Sequence, residues 1–278
     1  MLRDVIANLQ LGGSRDVATD FAISVAATFN AHVTGLAFLY DPSVPMMVDM
    51  YGIPADVFEA RRIENENAAK AAVAHFNMLA RDSGLSAEAR IINAPAAGDI
   101  PNLFASMARR FDLSVIGQPE PDKSDLERLI VEAALFDTGR PVLVVPYIQR
   151  AGLKLDHLML CWDGSRSAAR AAADAMPFIL RAKAVEMVIV ASEPPKSDEL
   201  PGADMAHHLA RHGAKVELKR IVTAETDVAS TILSHAADNS ADFLVMGGYG
   251  HSRLREFILG GVTRGILGSM TIPTLLSH

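Results

Sequence analysis

The sequence predicts an α/β protein made of two tandem, doubly wound parallel-sheet domains, residues 1–149 and 153–278. Three observations predict it. Strand-like and helix-like segments alternate along the chain, as in parallel sheets covered by helices on both faces. The strand segments are continuous apolar runs, the pattern of strands buried on both sides. The order of elements also occurs twice, which is the mark of a tandem architecture.

The first copy opens with an apolar run at residues 5–9, then Gly13-Ser14-Arg15 and an Ala-rich amphipathic segment. The second opens with residues 158–161, then Gly164-Ser165-Arg166 and another Ala-rich segment. Further on, Phe111-Asp112-Leu113-Ser114-Val115-Ile116-Gly117 answers Ala241-Asp242-Phe243-Leu244-Val245-Met246-Gly247. Each copy closes on a proline and an apolar run, at 142–145 and 274–276. Strands of the second copy are predicted at 155–161, 185–191, 216–221, 242–246 and 274–276, with helices between them and right-handed crossovers. The first copy carries a longer insert, in which 55–83 reads as one long helix with Pro54 at or just before its first turn. The short polar stretch 149–153, containing Gly152, separates the copies.

Composition bounds the class. Half of the 278 residues are apolar and 21% are charged, the balance of a globular chain with a sizeable core. The longest apolar stretches are strand-length, short of the roughly eighteen residues of a membrane span. The start Met1-Leu2-Arg3-Asp4 runs straight into a strand without a signal-peptide pattern, so a cytoplasmic address is expected. A net charge of −7 argues against nucleic acid or anionic membrane as partners. The single cysteine, Cys161, excludes an internal disulfide and a multi-cysteine metal site, and reads as a buried strand thiol. The adjacent pair His207-His208 reads as solvated helix surface.

The chemistry-bearing segment follows the fourth strand of the second copy. It runs Gly247-Gly248-Tyr249-Gly250, nine residues from His251, then Gly260-Gly261-Val262-Thr263. Glycine lets backbone approach a phosphate with no Cβ in the way. The helix expected over 262–270 would add free N–H groups and a favourable dipole. Asp163, just past the first strand, is placed to accept hydrogen bonds from a ribose; its plainer role is to cap the helix after Gly164. The first copy serves as an internal control. Aligned without gaps, Glu120 falls opposite Gly250, Ile130 opposite Gly260 and Val131 opposite Gly261. Those side chains, with Asp122 and Asp125, block or repel a polyphosphate by about 1 kcal/mol or more per close charge pair. No nucleotide is expected there.

These residues resemble the universal stress protein (UspA) superfamily, whose ATP-binding members carry G-x2-G-x9-G-(S/T) after the fourth strand and an Asp after the first. Gly247, Gly250 and Gly260 match, with Asp163, and the resemblance covers both copies. Gly261 departs, standing where Ser or Thr is usual. The resemblance implies a Rossmann-like, adenine nucleotide alpha hydrolase-like fold. It also implies ATP, ADP or AMP as ligand, with any Mg²⁺ arriving on the polyphosphate. Adenine would be read by backbone near Ala191 or Ser192, and phosphate by the amides of Gly261 and Val262, with Thr263 and His251 nearby. Ser252, Arg253 and Arg255 lie in the same loop. The terminal strands resemble those through which family members pair, between the two halves or in a homodimer.

No Walker lysine, no acid pair for Mg²⁺ and no general base other than His251 is present. Catalytic and metal-ligating residues are therefore not expected, and at most weak ATPase activity is. The rival reading is an interaction scaffold or a binder of another small ligand, with the long helix and Met46-Met47-Val48-Asp49-Met50 as its surface. A ligase-type pyrophosphate loop at Gly12-Gly13-Ser14-Arg15-Asp16 is the weakest, since Leu11 stands where its leading Ser belongs.

Overall fold

The computed structural model describes residues 1–12, 16–40, 55–119, 125–191, 202–223, 227–248 and 261–278. The first half contributes β1 (Asp4–Asn8), α1 (Val17–Phe29), β2 (His32–Tyr40), α2 (Ala55–Asp82), β3 (Ala87–Ala94), α3 (Ile100–Ala108), β4 (Leu113–Gly117), α4 (Asp125–Asp137) and β5 (Val142–Val145). The second contributes β6 (His157–Cys161), α5 (Arg166–Asp174), α6 (Met176–Ile179), β7 (Ala184–Ala191), α7 (Ala203–Arg211), β8 (Val216–Val222), α8 (Val228–Asp238), β9 (Phe243–Gly247), α9 (Gly261–Ser269) and β10 (Thr274–Ser277). The long insert helix is present as α2; its counterpart α7 has 9 residues against 28.

All strands join one 10-stranded sheet ordered β3-β2-β1-β4-β5-β10-β9-β6-β7-β8. Within each half every pairing is parallel, and the order is the same doubly wound sequence read outward from the centre. At the centre β10 runs antiparallel to β5, with Leu275 opposite Leu143.

Side chains alternate between the two faces, so each strand feeds two apolar layers. One layer holds Phe21, Phe76, Leu158, Leu160, Phe178 and Phe243, and gathers α1, α2, α5, α6 and α7. The other holds Ile6, Phe104, Ile130, Met159, Leu244 and Ile266, under α3, α4, α8 and α9. Both layers run through both halves.

Local chemistry sets the element ends. Asp16 caps α1, its Oδ1 accepting the Thr19 N–H at 3.0 Å, and Asn30 closes that helix in the left-handed region at φ 50°. Asp227 caps α8 through the Ser230 N–H at 3.3 Å. The aspartates repeated before the fourth strand of each copy have one job. Asp112 accepts the N–H groups of Arg3 and Asp4, and Asp242 those of Asp156 and His157, so each ties the start of its neighbouring strand.

Aromatic packing joins the halves on the first layer. Phe178 meets Phe29 edge-on at 4.9 Å and stacks on Phe243 at 4.9 Å, while the Arg181 guanidinium lies 4.6 Å over the Phe29 ring and donates to the Thr28 carbonyl at 2.8 Å. Phe178→Ala is expected to cost about 3–5 kcal/mol of stability. Denaturant titration followed by far-ultraviolet circular dichroism checks this, and an unchanged midpoint contradicts it.

Candidate functional site

β6 and β9 are neighbours, paired in parallel from Leu158↔Phe243 to Leu160↔Val245. After β6 the chain enters α5 on the first layer and continues outward to β7. After β9 it reaches α9 on the second layer and turns inward to β10. Winding therefore reverses between these two strands, and their carboxyl ends border a crevice, the ordinary ligand position in such sheets. Asp163 and Gly248 each lie three residues beyond the last paired position.

Asp163 is exposed at this edge. Its Oδ1 accepts the Ser165 N–H at 2.9 Å across Gly164, which takes φ 77°. The helix cap is Ser165 rather than Asp163: the Ser165 Oγ accepts the Ala168 N–H at 3.1 Å. Asp163 thus orients the turn from outside the helix, at the same sheet edge as the crevice.

Gly247 has a packing reason of its own. A Cβ there would fall 2.5 Å from the Ala168 N and 2.6 Å from the Ser167 carbonyl carbon, both backbone, so the end of β9 lies directly on the first turn of α5. Gly248 donates its N–H to the Ser277 carbonyl at 2.8 Å and accepts from His278 Nδ1 at 3.1 Å. Its missing side chain makes room for Leu135 of the first half, 2.9 Å from where a Cβ would sit.

Gly261, the first residue of α9, is different. It is exposed, and nothing stands within 4 Å of its would-be Cβ. Among the described residues, packing does not require glycine there. Val262 is half-buried, while Thr263 is 3% exposed, so its side chain turns into the fold and away from the side Gly261 presents. Ala191 ends β7 half-buried, and its carbonyl accepts the Thr223 N–H at 2.9 Å. Gly250, His251, Ser252, Arg253, Arg255, Gly260 and Ser192 lie outside the described residues, as do Tyr249, Glu120, Asp122, Gly13, Ser14, Arg15 and the Met46–Met50 run.

The first half has the same reversal between β1 and β4. Register places Gln10 where Asp163 stands, and a Cβ on Gly117 would meet the Gln10 Nε2 at 2.5 Å. The glutamine amide therefore covers this crevice, a filler that the sequence comparison missed. The Gln10 backbone N–H donates to Asp16 Oδ2 at 3.0 Å, and burial pushes the Asp16 carboxyl up despite hydrogen bonds from Thr19 and Gln10. Asp16 is thus a helix cap and a tie to the Gln10 backbone.

The gap-free alignment of the two loops needs correction. Gly117 pairs with Val145 but Gly247 with Ser277, so the second copy carries two extra residues between these strands. Burial then sets Ile130 opposite Val262 and Val131 opposite Thr263, leaving Arg128 and Leu129 opposite Gly260 and Gly261. The contrast survives, because these positions also carry side chains.

Two other features are inert toward this site. Burial, followed by the Asp163 and Glu186 charges, pushes the Cys161 thiol up to about 12. At the amino ends of the strands an open groove is lined by His157, Lys183, Glu186, Lys215 and Glu217, where Glu186 accepts from His235 Nε2 at 3.0 Å. It lies at the opposite end of the strands from the crevice.

Comparison with known proteins adds the lineage. Residues 154–278 match the universal stress protein family, and they contain every described residue of the crevice. A universal stress protein of Synechocystis is 34% identical over 67 residues, which are 24% of this chain and 22% of that protein's length. The crystal structure of a universal stress protein from Archaeoglobus fulgidus superposes with a TM-score of 0.72 at 15% identity, covering 99% of this chain and 95% of that one. A protein of unknown function from Pseudomonas aeruginosa gives 0.61 at 12% identity, covering 99% and 92%. At these identities the two structures establish a shared fold.

Two outcomes follow from the site geometry. Gly247→Ala forces β9 off α5 and is expected to cost about 1–3 kcal/mol, whereas Gly261→Ala stays within about 1 kcal/mol, as melting curves of the two variants will show. Cys161 is half-buried, and with its thiol pushed up to about 12 it stays protonated at pH 8. It should therefore react with a thiol reagent far more slowly in native protein than in denaturant, and equal rates would contradict the raised thiol pKa.

Proposed function

Residues 154–278 belong to the universal stress protein family, and from that premise we propose that this half binds an adenine nucleotide (ATP, ADP or AMP) in the crevice between β6 and β9. The observation that carries the reading is the exposed Gly261 at the start of α9, the helix that follows β9, beside a winding reversal whose other strand, β6, ends two residues before the exposed Asp163. Amides at a helix N-terminus favour an anion, and a carboxylate at the rim suits ribose hydroxyls. Fit is therefore present at both ends of a nucleotide. Phosphate falls to the amides of Gly261 and Val262 together with Gly250 and Gly260, and ribose to Asp163. Adenine falls to backbone beside Ala191, whose carbonyl already has a partner in Thr223. Thr263 is buried and serves α9 rather than phosphate.

The role is retention or sensing of the nucleotide rather than rapid turnover. Asp163 already binds the Ser165 N–H, and Cys161 is held protonated by burial. Neither is set up as a base or nucleophile. Any Mg²⁺ would come with the polyphosphate. The Gln10 amide over Gly117 supports one site per chain.

Trp162, the lone tryptophan, adjoins Asp163 and packs against the first layer. ATP is expected to change its fluorescence saturably and, at a hundredfold excess over Kd, to stabilise the fold by about 2.7 kcal/mol. A flat titration at millimolar ATP on nucleotide-free protein would favour the scaffold reading. Gly261→Ser restores a hydroxyl in open space and should tighten binding several-fold, whereas Gly250→Val or Gly260→Val should abolish it with little loss of melting temperature.

A further inference from the structure

The helix that begins at the proposed phosphate site is capped at its other end by the opposite half of the chain. Gln118 follows β4 of the first half and is 1% exposed. Its Nε2–H donates to the Leu267 carbonyl at 2.8 Å, and its Oε1 accepts the Tyr147 N–H at 3.3 Å. A carbonyl needs a donor and an N–H an acceptor, so only one orientation of the amide satisfies both. Leu267 lies in the last turn of α9, where backbone carbonyls lack helical partners. From the capped Leu267 back to Gly261 the helix rises about 9 Å.

The arrangement is one-sided. Counted from the fourth strand, the counterpart of Gln118 is Gly248, which has no side chain to reach back. The counterpart of Leu267 is Leu135 in α4, and it simply fills the space over Gly248. α4 is closed by its own half instead: the Thr138 hydroxyl donates to the Ala134 carbonyl at 2.6 Å, and Arg109 Nε to the Asp137 carbonyl at 2.9 Å. Among the described residues of the paired helices α4 and α9, only α9 has one of its own last-turn carbonyls held by a side chain of the opposite half; the second half's Arg170 reaches the Gly139 carbonyl just beyond α4, and its Arg181 holds α1 at Thr28.

We infer that Gln118 is a positioning residue through which the first half sets the placement of α9, and with it the affinity of the nucleotide crevice in the second. The affinity part rests on the nucleotide reading above. The cap is a donor in a buried contact between halves, so losing it leaves the Leu267 carbonyl unpaired and α9 free to shift or fray.

The test uses the full chain with Gln118→Met, which keeps the shape but removes both the donor to Leu267 and the acceptor of the Tyr147 N–H. Hydrogen exchange across α9 in ligand-free protein should quicken by about tenfold or more while α8 is unchanged, and ATP affinity should fall about tenfold. Gln118→Asn, one methylene shorter, should follow the same pattern and stands in if the methionine variant does not fold. Phe178→Ala serves as the stability control, because it loosens the joint between halves far from α9; it should melt earlier yet keep its ATP affinity within about twofold. Parental α9 exchange in Gln118→Met, or an equal loss of affinity in Phe178→Ala, would overturn the inference. Should the parent bind no ATP, the nucleotide reading falls, and the exchange result alone decides whether Gln118 holds α9.

Discussion

The reversal of winding between β6 and β9 is the constraint on which the rest depends. Two parallel neighbours send their helices to opposite faces, so among the described residues no element of this half crosses the gap at their carboxyl ends. That geometry requires α5 and the end of β9 to approach closely, and only a residue without a side chain fits at Gly247. It also delivers the first turn of α9 to the same edge. The crevice is thus a consequence of topology, and what distinguishes the halves is what fills it. In the first half Gln10 lies over Gly117; in the second the corresponding position is an exposed aspartate.

Continuity of the sheet makes the halves unequal partners. Because β5 and β10 run side by side, the two apolar layers pass through the whole chain, and residues after β4 and β9 meet the opposite half's helices. Phe29, Phe178 and Phe243 interlock on one face. On the other, Gln118 reaches Leu267 and Leu135 reaches Gly248, near-symmetric contacts whose chemistry differs. A copy that has filled its own crevice can still act on its neighbour through such contacts.

Much of the fold was legible because parallel strands buried on both faces read as unbroken apolar runs, and a doubled order of elements constrains every assignment at once. The paired Asp112 and Asp242 are visible as a repeat, although their task of holding the next strand's first amides is not. The site was harder to read. Gly247 looks like one more phosphate glycine, yet its need for glycine comes from Ser167 and Ala168, some eighty residues earlier. The two-residue difference between the loops left no trace in a gap-free alignment, since loops have no period to keep register; the buried face of α9 supplies it. Gln10 was passed over because an amide matching an acid signals nothing until its side chain is seen across Gly117.

The central claim is one nucleotide per chain, held beside Asp163 and Gly261. A crystal structure grown with excess ATP tests it most directly. Phosphate oxygens are expected within hydrogen-bonding distance of the Gly261 amide, ribose at Asp163, and Gln10 still lying over Gly117. Nucleotide lodged in the first half's crevice, or a second-half crevice closed by its own side chains, would contradict it.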